Sequence, residues 1–95
     1  MSCGYVVGRI SVKHPERWAE YRARVPGTLV PWGGELVFRG RRASVPAGEE
    51  PHPDIVVIRF PSLEAANGWH ASPAYQALVA LRLQAADVVL AMYEA

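Results

Sequence analysis

The side chains best suited to acid–base chemistry in this sequence are its three histidines, His14, His52 and His70. Histidine titrates near neutral pH and can act as a general base. His70 is the candidate catalytic residue, because it directly follows an aromatic residue, Trp69, at a predicted bend between two helical pieces. No carboxylate stands at a spacing that would obviously orient its ring, so a surface or helix-capping role is favoured over catalysis.

The residue pattern gives little support for a metal site or for a cofactor-binding motif. The histidines are far apart in sequence, and Cys3 is the single cysteine, so we expect neither a metal site nor an internal disulfide. The glycines at Gly8 and Gly33-Gly34 do not have the spacing of a phosphate-binding loop or of a dinucleotide fingerprint. We therefore expect that the protein uses no cofactor.

Aromatic side chains on or beside the predicted helices supply candidate ligand-binding residues. A helix that breaks around Pro26 and Pro31 would leave room beneath it, and Tyr21 and Trp32 would line that room. Trp69, beside the candidate base, is a third aromatic candidate. For each aromatic residue taken singly, ordinary packing in the core is the alternative.

Composition and length indicate one small domain, which we expect to span residues 1–95. Hydrophobic residues make up 51% of the chain, a generous supply for so small a core, which favours burial of apolar surface against a partner. The formal net charge of +1 gives no strong field to attract nucleic acid or a membrane. The sequence shows neither a signal-peptide pattern nor a stretch that could span a bilayer, so we expect a cytoplasmic protein.

Hydrophobic periodicity predicts four strands and two helical regions in the order βαββαβ. With right-handed crossovers, this order gives an α+β fold: a four-stranded antiparallel sheet with the helices on one face and the first and third strands in the centre. We expect Pro26-Gly27 to break or kink the first helix. The predicted elements are strands Tyr5–Val12, Glu35–Arg42, Asp54–Phe60 and Asp87–Tyr93, a helix from Pro15, a mobile loop at Ala43–Pro53, and helical pieces at about Leu63–His70 and Pro73–Ala85.

Period-two alternation gives the central strands two unlike faces. The face with Val6, Ile10 and Ile58 is apolar or small throughout, so it is expected to pack on the helices. Helices on one side leave the opposite face uncovered, and we expect a homodimer in which two such faces pack together. This second face carries Tyr5, Val7, Arg9, Ser11, Ile55, Val57, Arg59, Val89, Ala91 and Tyr93. In the second strand, Leu36 and Phe38 are predicted on one face and Glu35, Arg39 and Arg41 on the other.

Arg9 and Arg59 are ligand-binding candidates because they place two positive charges on neighbouring strands of the same face. Like charges side by side are unfavourable, more so when partly buried. Glu35, Asp87, Glu94, a carboxylate of a partner chain or a bound anion could neutralise them; alternatively, both guanidinium groups extend to water. On this interpretation, the substitution Arg59→Glu keeps or strengthens the dimer.

The segments Phe60-Pro61-Ser62-Leu63-Glu64-Ala65-Ala66 and Trp69-His70-Ala71-Ser72-Pro73-Ala74-Tyr75-Gln76 resemble the family labelled domain of unknown function 1330. The resemblance extends to Gly8-Arg9, Tyr21, Gly33-Gly34 and Arg82 and covers nearly the whole chain. Arg82 is a candidate to pair with Glu64 or with a terminal carboxylate, and a structural role of this kind is favoured over an anion site. The chain departs from the family pattern at Arg59, where glutamate is common, and at His70, where tyrosine is common.

The resemblance implies the ferredoxin-like fold of the dimeric α/β-barrel superfamily, in which the sheets of two subunits face each other. That superfamily includes cofactor-free monooxygenases, lactone isomerases and haem enzymes, whereas this family has no established activity. A fold does not by itself imply a function.

Two functions remain open. The chain is expected to bind a small apolar or anionic metabolite in a cleft between helices and sheet, or to be a cofactor-free enzyme, isomerase-like or monooxygenase-like, that uses the same cleft. RNA binding through the sheet is disfavoured, because it needs exposed aromatics on the central strands and a basic surface.

Overall fold

The computed structural model describes residues 2–95 and has the predicted βαββαβ order, with the second helical region divided into three short helices. The predicted third strand matches its observed bounds, the first and second strands differ from prediction by one residue at one end, and the fourth is one residue longer at both ends. The elements are β1 Gly4–Val12, α1 Pro15–Leu29, a 3-10 helix Val30–Trp32, β2 Glu35–Arg41, β3 Asp54–Phe60, α2 Leu63–Ala71, α3 Pro73–Gln76, α4 Val79–Ala85 and β4 Ala86–Glu94.

The four strands form one antiparallel sheet in the order β2-β3-β1-β4, so β1 and β3 lie in the centre as predicted. In this register Val6 stands opposite Ile58 on one side and Met92 on the other. These neighbours point to the same side of the sheet, since paired residues share a face. The predicted α+β fold, with helices on one face of the sheet, is confirmed.

The core fills the space between the sheet and the helices. The apolar face of the central strands lies here as predicted: Val6 and Phe60 are fully buried, and Ile10 is 1% exposed. The helices contribute large aromatic side chains to the same layer, above all Trp69 and Tyr75. This single apolar layer lies on one side of the sheet only.

Helix α1 continues through Pro26 to Leu29, so the predicted break at Pro26-Gly27 is wrong. A proline inside a helix costs about 3 kcal/mol or more, because it removes one backbone hydrogen bond and crowds the preceding turn. Tertiary packing offsets this cost here: Val25, Thr28 and Leu29 are buried around the exposed Pro26. The hydroxyl of Thr28 also donates a hydrogen bond to the backbone carbonyl of Val25 over 2.6 Å.

The second helical region starts where the sequence predicted, at two serine caps. The Ser62 hydroxyl accepts a hydrogen bond from the backbone N–H of Ala65 at 3.0 Å, and the Ser72 hydroxyl accepts one from the N–H of Tyr75 at 3.3 Å. The piece predicted as Pro73–Ala85 is interrupted at residues 77–78, between α3 and α4. The interruption turns Leu78 into the core, where it is 5% exposed.

A β-bulge in β2 overturns the predicted division of that strand. Leu36 pairs with Ile58 and Phe38 with Val57, so the single residue between them has no partner. Since the extra residue reverses the alternation, Leu36 lies on the helix side and Phe38 on the opposite side. The two were predicted on one face. Beyond the bulge, Arg39 pairs with Val56 and therefore lies on the helix side, away from the face of Glu35.

The sheet face without helices has the composition that the alternation predicted, and we call it the outer face. Its residues are half-exposed or exposed: the bulge adds Phe38, which is 50% exposed, to Val89 at 39% and Tyr93 at 57%. Such a face is more apolar than a fully hydrated surface usually is.

Candidate functional site

A hollow of about 250 Å³ opens between α2 and the sheet, and we call it the α2 hollow. Strands β1 and β4 form its floor, because Val6, Leu90 and Met92 all point toward the helices. Helix α2 contributes the remaining walls through two consecutive residues, Trp69 and His70. The hollow is therefore apolar on nearly every side, and His70 is the titratable side chain in its lining.

Trp69 is a rigid wall of this hollow. Its side chain is 1% exposed, and its indole N–H donates a hydrogen bond to the Thr28 hydroxyl at 2.9 Å. The Phe60 ring lies 5.4 Å from the Trp69 ring and the Tyr75 ring 4.3 Å from it, centroid to centroid. Aromatic contacts and a satisfied N–H hold the indole in one orientation. Trp69 stays a predicted ligand-binding residue, and core packing accounts for nearly all of its surface.

Behind Trp69, two buried tyrosines and an arginine form a hydrogen-bonded chain. The hydroxyl groups of Tyr21 and Tyr75 lie 2.9 Å apart, and Arg82 donates a hydrogen bond to the Tyr75 hydroxyl at 2.7 Å. Burial raises the pKa of Tyr21, and the neighbouring Tyr75 adds to the rise. Tyr21 is therefore a neutral hydrogen-bonding group at all ordinary pH values. The expectation that Arg82 pairs with Glu64 or a terminal carboxylate is wrong, because its partner is Tyr75.

His70 lies at the rim of the α2 hollow and is half-buried. Its ring packs 5.5 Å from the ring of Tyr75 and 6.3 Å from that of Trp69, measured between centroids. The hydrogen bond from Gln76 at 2.7 Å reaches the backbone carbonyl of His70 rather than its imidazole. The ring is thus placed by aromatic contacts, and a ligand in the hollow would meet it directly.

The cleft expected between Tyr21 and Trp32 beneath a broken α1 is absent from the described chain. Where Tyr21 lies, between α1 and the sheet, the cavity measures only about 30 Å³, room for one water molecule. Tyr21 borders this cavity but is only 7% exposed. Trp32 lies elsewhere: its ring packs so closely on Gly68 of α2 that a side-chain carbon at residue 68 would collide with it. Tyr21 and Trp32 therefore do not share an open cleft.

Arg9 and Arg59 lie on the outer face as predicted, but they do not face each other. Arg59 pairs in register with Tyr5, and Arg9 pairs with Ile55, so the two arginines are four residues apart along the strands. Each has its own carboxylate: Arg59 contacts Glu35 at 2.7 Å, and Arg9 contacts Glu50 at 3.0 Å. The hydrogen bond from Arg59 to Glu35 raises the pKa of Arg59. Glu35 was among the expected partners, whereas Glu50 was not.

These pairings remove the basis for expecting Arg59→Glu to strengthen the dimer. The substitution would set a second carboxylate opposite Glu35, where an ion pair now stands. Like charges directly opposite each other in a sheet are unfavourable. The expectation assumed repulsion between Arg9 and Arg59, which the register separates.

The loop at residues 42–53 is fastened to the outer face by two polar contacts that the sequence did not reveal. The Glu50 carboxylate accepts hydrogen bonds from Arg9 and, at 3.0 Å, from the backbone N–H of His52. The His52 Nδ1 atom lies 2.9 Å from the Ser11 hydroxyl. The N–H of His52, followed by Arg9, lowers the pKa of Glu50. The composition of this loop permits a mobile excursion, but two residues of β1, Arg9 and Ser11, hold it to the sheet.

The candidate residues thus form two groups on opposite sides of the sheet. Trp69 and His70 share the α2 hollow with Tyr21 behind them, while Arg9 and Arg59 lie on the outer face. Within residues 2–95, no group of three His, Cys, Asp or Glu side chains comes together as a metal site requires. None of the helices described combines the length and hydropathy that crossing a bilayer would require.

The model of a protein family described as domain of unknown function, DUF1330, matches residues 3–95. No curated protein matches the sequence. Three solved structures show similar folds at low sequence identity. A protein of unknown function from Rhodopseudomonas palustris, RPA0582, is 19% identical with a TM-score of 0.79, over 97% of this chain and 81% of that one.

The second similar structure is SnoaB from Streptomyces nogalater, described as a cofactor-independent oxygenase. It is 12% identical, with a TM-score of 0.72 over 100% of this chain and 94% of that one. The third is a dimeric ferredoxin-like protein of unknown function from Thermobifida fusca, 12% identical, with a TM-score of 0.69 over 99% of this chain and 92% of that one. At these identities the similarity establishes the fold alone.

The hydrogen-bonded chain of buried tyrosines predicts that two similar substitutions, each removing one hydroxyl, lower the unfolding free energy by different amounts. Tyr75→Phe leaves the Tyr21 hydroxyl buried without its partner, so we expect a loss of about 1–3 kcal/mol in unfolding free energy. Tyr21→Phe leaves the Tyr75 hydroxyl bonded to Arg82, and we expect about 0.5–1.5 kcal/mol. Urea denaturation of both variants measures the difference. A larger loss for Tyr21→Phe would contradict the hydrogen-bonded order described here.

The loop contact at Glu50 predicts a pH dependence. The folded-state pKa of Glu50 is lowered. The ionised Glu50 carboxylate therefore stabilises the folded loop fully above the pKa of an unfolded glutamate, and this stabilisation is lost as the pH falls through the lower, folded value. Acidification should therefore speed amide hydrogen exchange at His52, once corrected for intrinsic rates. Glu50→Ala should do so at neutral pH, whereas Glu49→Ala, at an exposed neighbour, should not. Equal protection of the His52 amide in both variants would contradict the contact.

Proposed function

Since this chain belongs to the DUF1330 family, whose function is unknown, we propose from its own geometry that it binds a small, largely apolar molecule in the α2 hollow. The observation that carries the proposal is an opening of about 250 Å³ with apolar side chains on its floor and Trp69 and His70 on its wall. Ligand sites are typically apolar concavities of this kind with few polar groups.

The shape of the hollow limits the ligand to a compact molecule. Its volume lies just below the usual range for drug-sized ligands, about 300–1,000 Å³. The indole of Trp69 is fixed by Thr28 and backs the wall of the hollow, while the partly exposed side chains of Leu90 and Met92 offer the apolar surface for a flat or aliphatic group. His70 supplies a single polar contact at the rim, so one hydrogen-bonding group on the ligand is sufficient.

We further propose that the protein is a homodimer through its outer face. Phe38, Val89 and Tyr93 are at least 39% exposed there, and the helices all lie on the other side. Because Arg9 and Arg59 already have partners in their own chain, packing two outer faces together leaves neither charge unpaired. The description of the Thermobifida fusca protein as dimeric supports this arrangement.

A second candidate function is proton transfer without a cofactor at the same hollow. The observation that favours it is the position of the His70 ring, which borders the hollow and could accept a proton from a bound molecule. The oxygenase activity named for SnoaB belongs to that protein and supports only the fold's capacity for such chemistry. Solvent deuterium appearing at carbon in a bound ligand, and absent in His70→Ala, would distinguish catalysis from binding.

Ligand binding is tested by filling the α2 hollow. Met92→Trp should occupy it and abolish binding of small aromatic and aliphatic fragments, which in the parent protein should shift the amide NMR signals of residues 69–70 and 90–92. Leu83→Trp is the matched control, because Leu83 is 60% exposed on α4 and its variant should bind as the parent does. If fragments bind both variants equally, or perturb only signals outside these segments, the proposed site is wrong.

The dimer is tested by placing a charge in the middle of the outer face. Val57→Glu adds a carboxylate on the central strand β3, where a second copy would have to bury it, so the variant should sediment as a monomer. Val30→Glu is the matched control at a 77% exposed position in the 3-10 helix, and it should leave the dimer intact. Analytical ultracentrifugation of both variants and the parent decides. A monomeric parent protein, or a dimeric Val57→Glu variant, would contradict the arrangement.

A further inference from the structure

A second hollow, of about 240 Å³, opens where α1 meets β2 and β3, and two arginines border it: Arg22 and Arg39. We propose that this hollow, which we call the arginine hollow, binds the carboxylate of a small molecule whose flat apolar body lies against Trp18. The site is separate from the α2 hollow, and the inference does not rest on the function proposed there.

The β2 bulge brings Arg39 to this place. Past the bulge, Arg39 pairs with Val56, a buried residue of the helix side. Arg22 arrives from α1, four residues after Trp18, so both project from one side of that helix. The two arginines come from distant parts of the sequence, and only the reversed alternation of β2 makes them neighbours.

Neither arginine has a carboxylate partner in the described chain. The ion pairs within residues 2–95 join Arg9 to Glu50, Lys13 to Asp87, Arg24 to Glu20 and Arg59 to Glu35. Arg22 and Arg39 take no part in them, although Arg24 lies on the same helix as Arg22. Two guanidinium groups without ion pairs at one hollow form a positive site.

The electrostatics of Arg39 agree with this geometry. Partial burial lowers its pKa, and the positive charge of Arg22 lowers it further. Asp54, which also borders the hollow, acts in the opposite direction on Arg39 but forms no direct ion pair with it. Two positive groups against one negative group leave an excess positive charge at the hollow. A bound anion would relieve the repulsion between the arginines.

The apolar residues that line the arginine hollow determine which group can stand at the other end of the ligand, away from its carboxylate. Trp18 and Ile10 border the hollow, and both also border the 30 Å³ cavity beneath α1. The Trp18 ring stacks on Tyr21 with 5.2 Å between centroids and 22° between planes, which fixes the indole. Trp18 is 9% exposed, and a planar group can contact this exposed part of the indole while its carboxylate accepts hydrogen bonds from the two exposed guanidinium groups. Arginine favours carboxylates because its planar donors match both oxygens.

The probe for this site is benzoate, a flat ring with one carboxylate, compared with benzamide and inorganic phosphate. Benzoate should perturb the Trp18 indole N–H and the amides of residues 39–40 and 54–55 in NMR spectra of the full chain. Benzamide, which lacks the charge, should bind at least about tenfold more weakly. Phosphate has the charge but no ring, so it should also bind more weakly than benzoate. Phosphate binding as tight as that of benzoate would overturn the role of Trp18.

Substitutions separate the two arginines from their neighbours. Arg22→Ala and Arg39→Ala should each weaken benzoate binding by about tenfold or more, whereas Arg24→Ala, on the same helix but paired with Glu20, should change it less than about twofold. Arg39→Lys keeps the charge and should bind between the parent and Arg39→Ala, which controls for misfolding. Equal binding by the parent and both alanine variants overturns the proposal, as does an absence of benzoate binding. Benzoate shifts confined to the α2 hollow would overturn it too, while supporting the function proposed for that hollow.

Discussion

The structure depends on one constraint: the two central strands present a fully apolar face to the helices and a mixed face to the other side. Helices α1 and α2 bury Val6, Ile10 and Ile58. Both helices must therefore lie in one layer, on the same side of the sheet. The hollows between helices and sheet follow from this arrangement, because the helices do not cover the sheet completely. The outer face follows from it as well, since no helix of residues 2–95 packs over it and only the loop at residues 42–53 contacts it, at Arg9 and Ser11.

The polar groups show how the fold manages its charges. On the outer face, Arg9 and Arg59 each have a carboxylate, so this face can approach another apolar surface. On the helix side, the Tyr21–Tyr75 hydroxyl pair is satisfied by Arg82. At the arginine hollow, Arg22 and Arg39 have no carboxylate partner within residues 2–95. The molecule thus keeps a neutral apolar opening at one end of its helix layer and a positive one near α1.

The sequence predicts the element order, the central strands and their two faces. Along Tyr5–Val12 and Asp54–Phe60, successive side chains point to opposite faces of the sheet and no bulge interrupts this alternation. It fails where long-range contacts override local preference. Burial of Val25 and Leu29 keeps α1 helical through Pro26, which local propensity opposes. The bulge after Leu36 depends on pairing with β3, and no residue type in β2 predicts it. For the same reason the sequence predicts Arg39 on the wrong face and does not predict the arginine hollow. Trp69 and His70 stay predicted site residues, chosen for their position at the helix bend.

The most direct test of the central constraint is a filtered NMR experiment on a mixture of isotope-labelled and unlabelled chains, which detects contacts between copies only. We expect intermolecular contacts from methyl groups of the outer face, such as Val7, Val57 and Ala91. We expect none from Val6 or Ile58, which the helices cover. Intermolecular contacts arising from the helix side, or no contacts between copies at all, would contradict it.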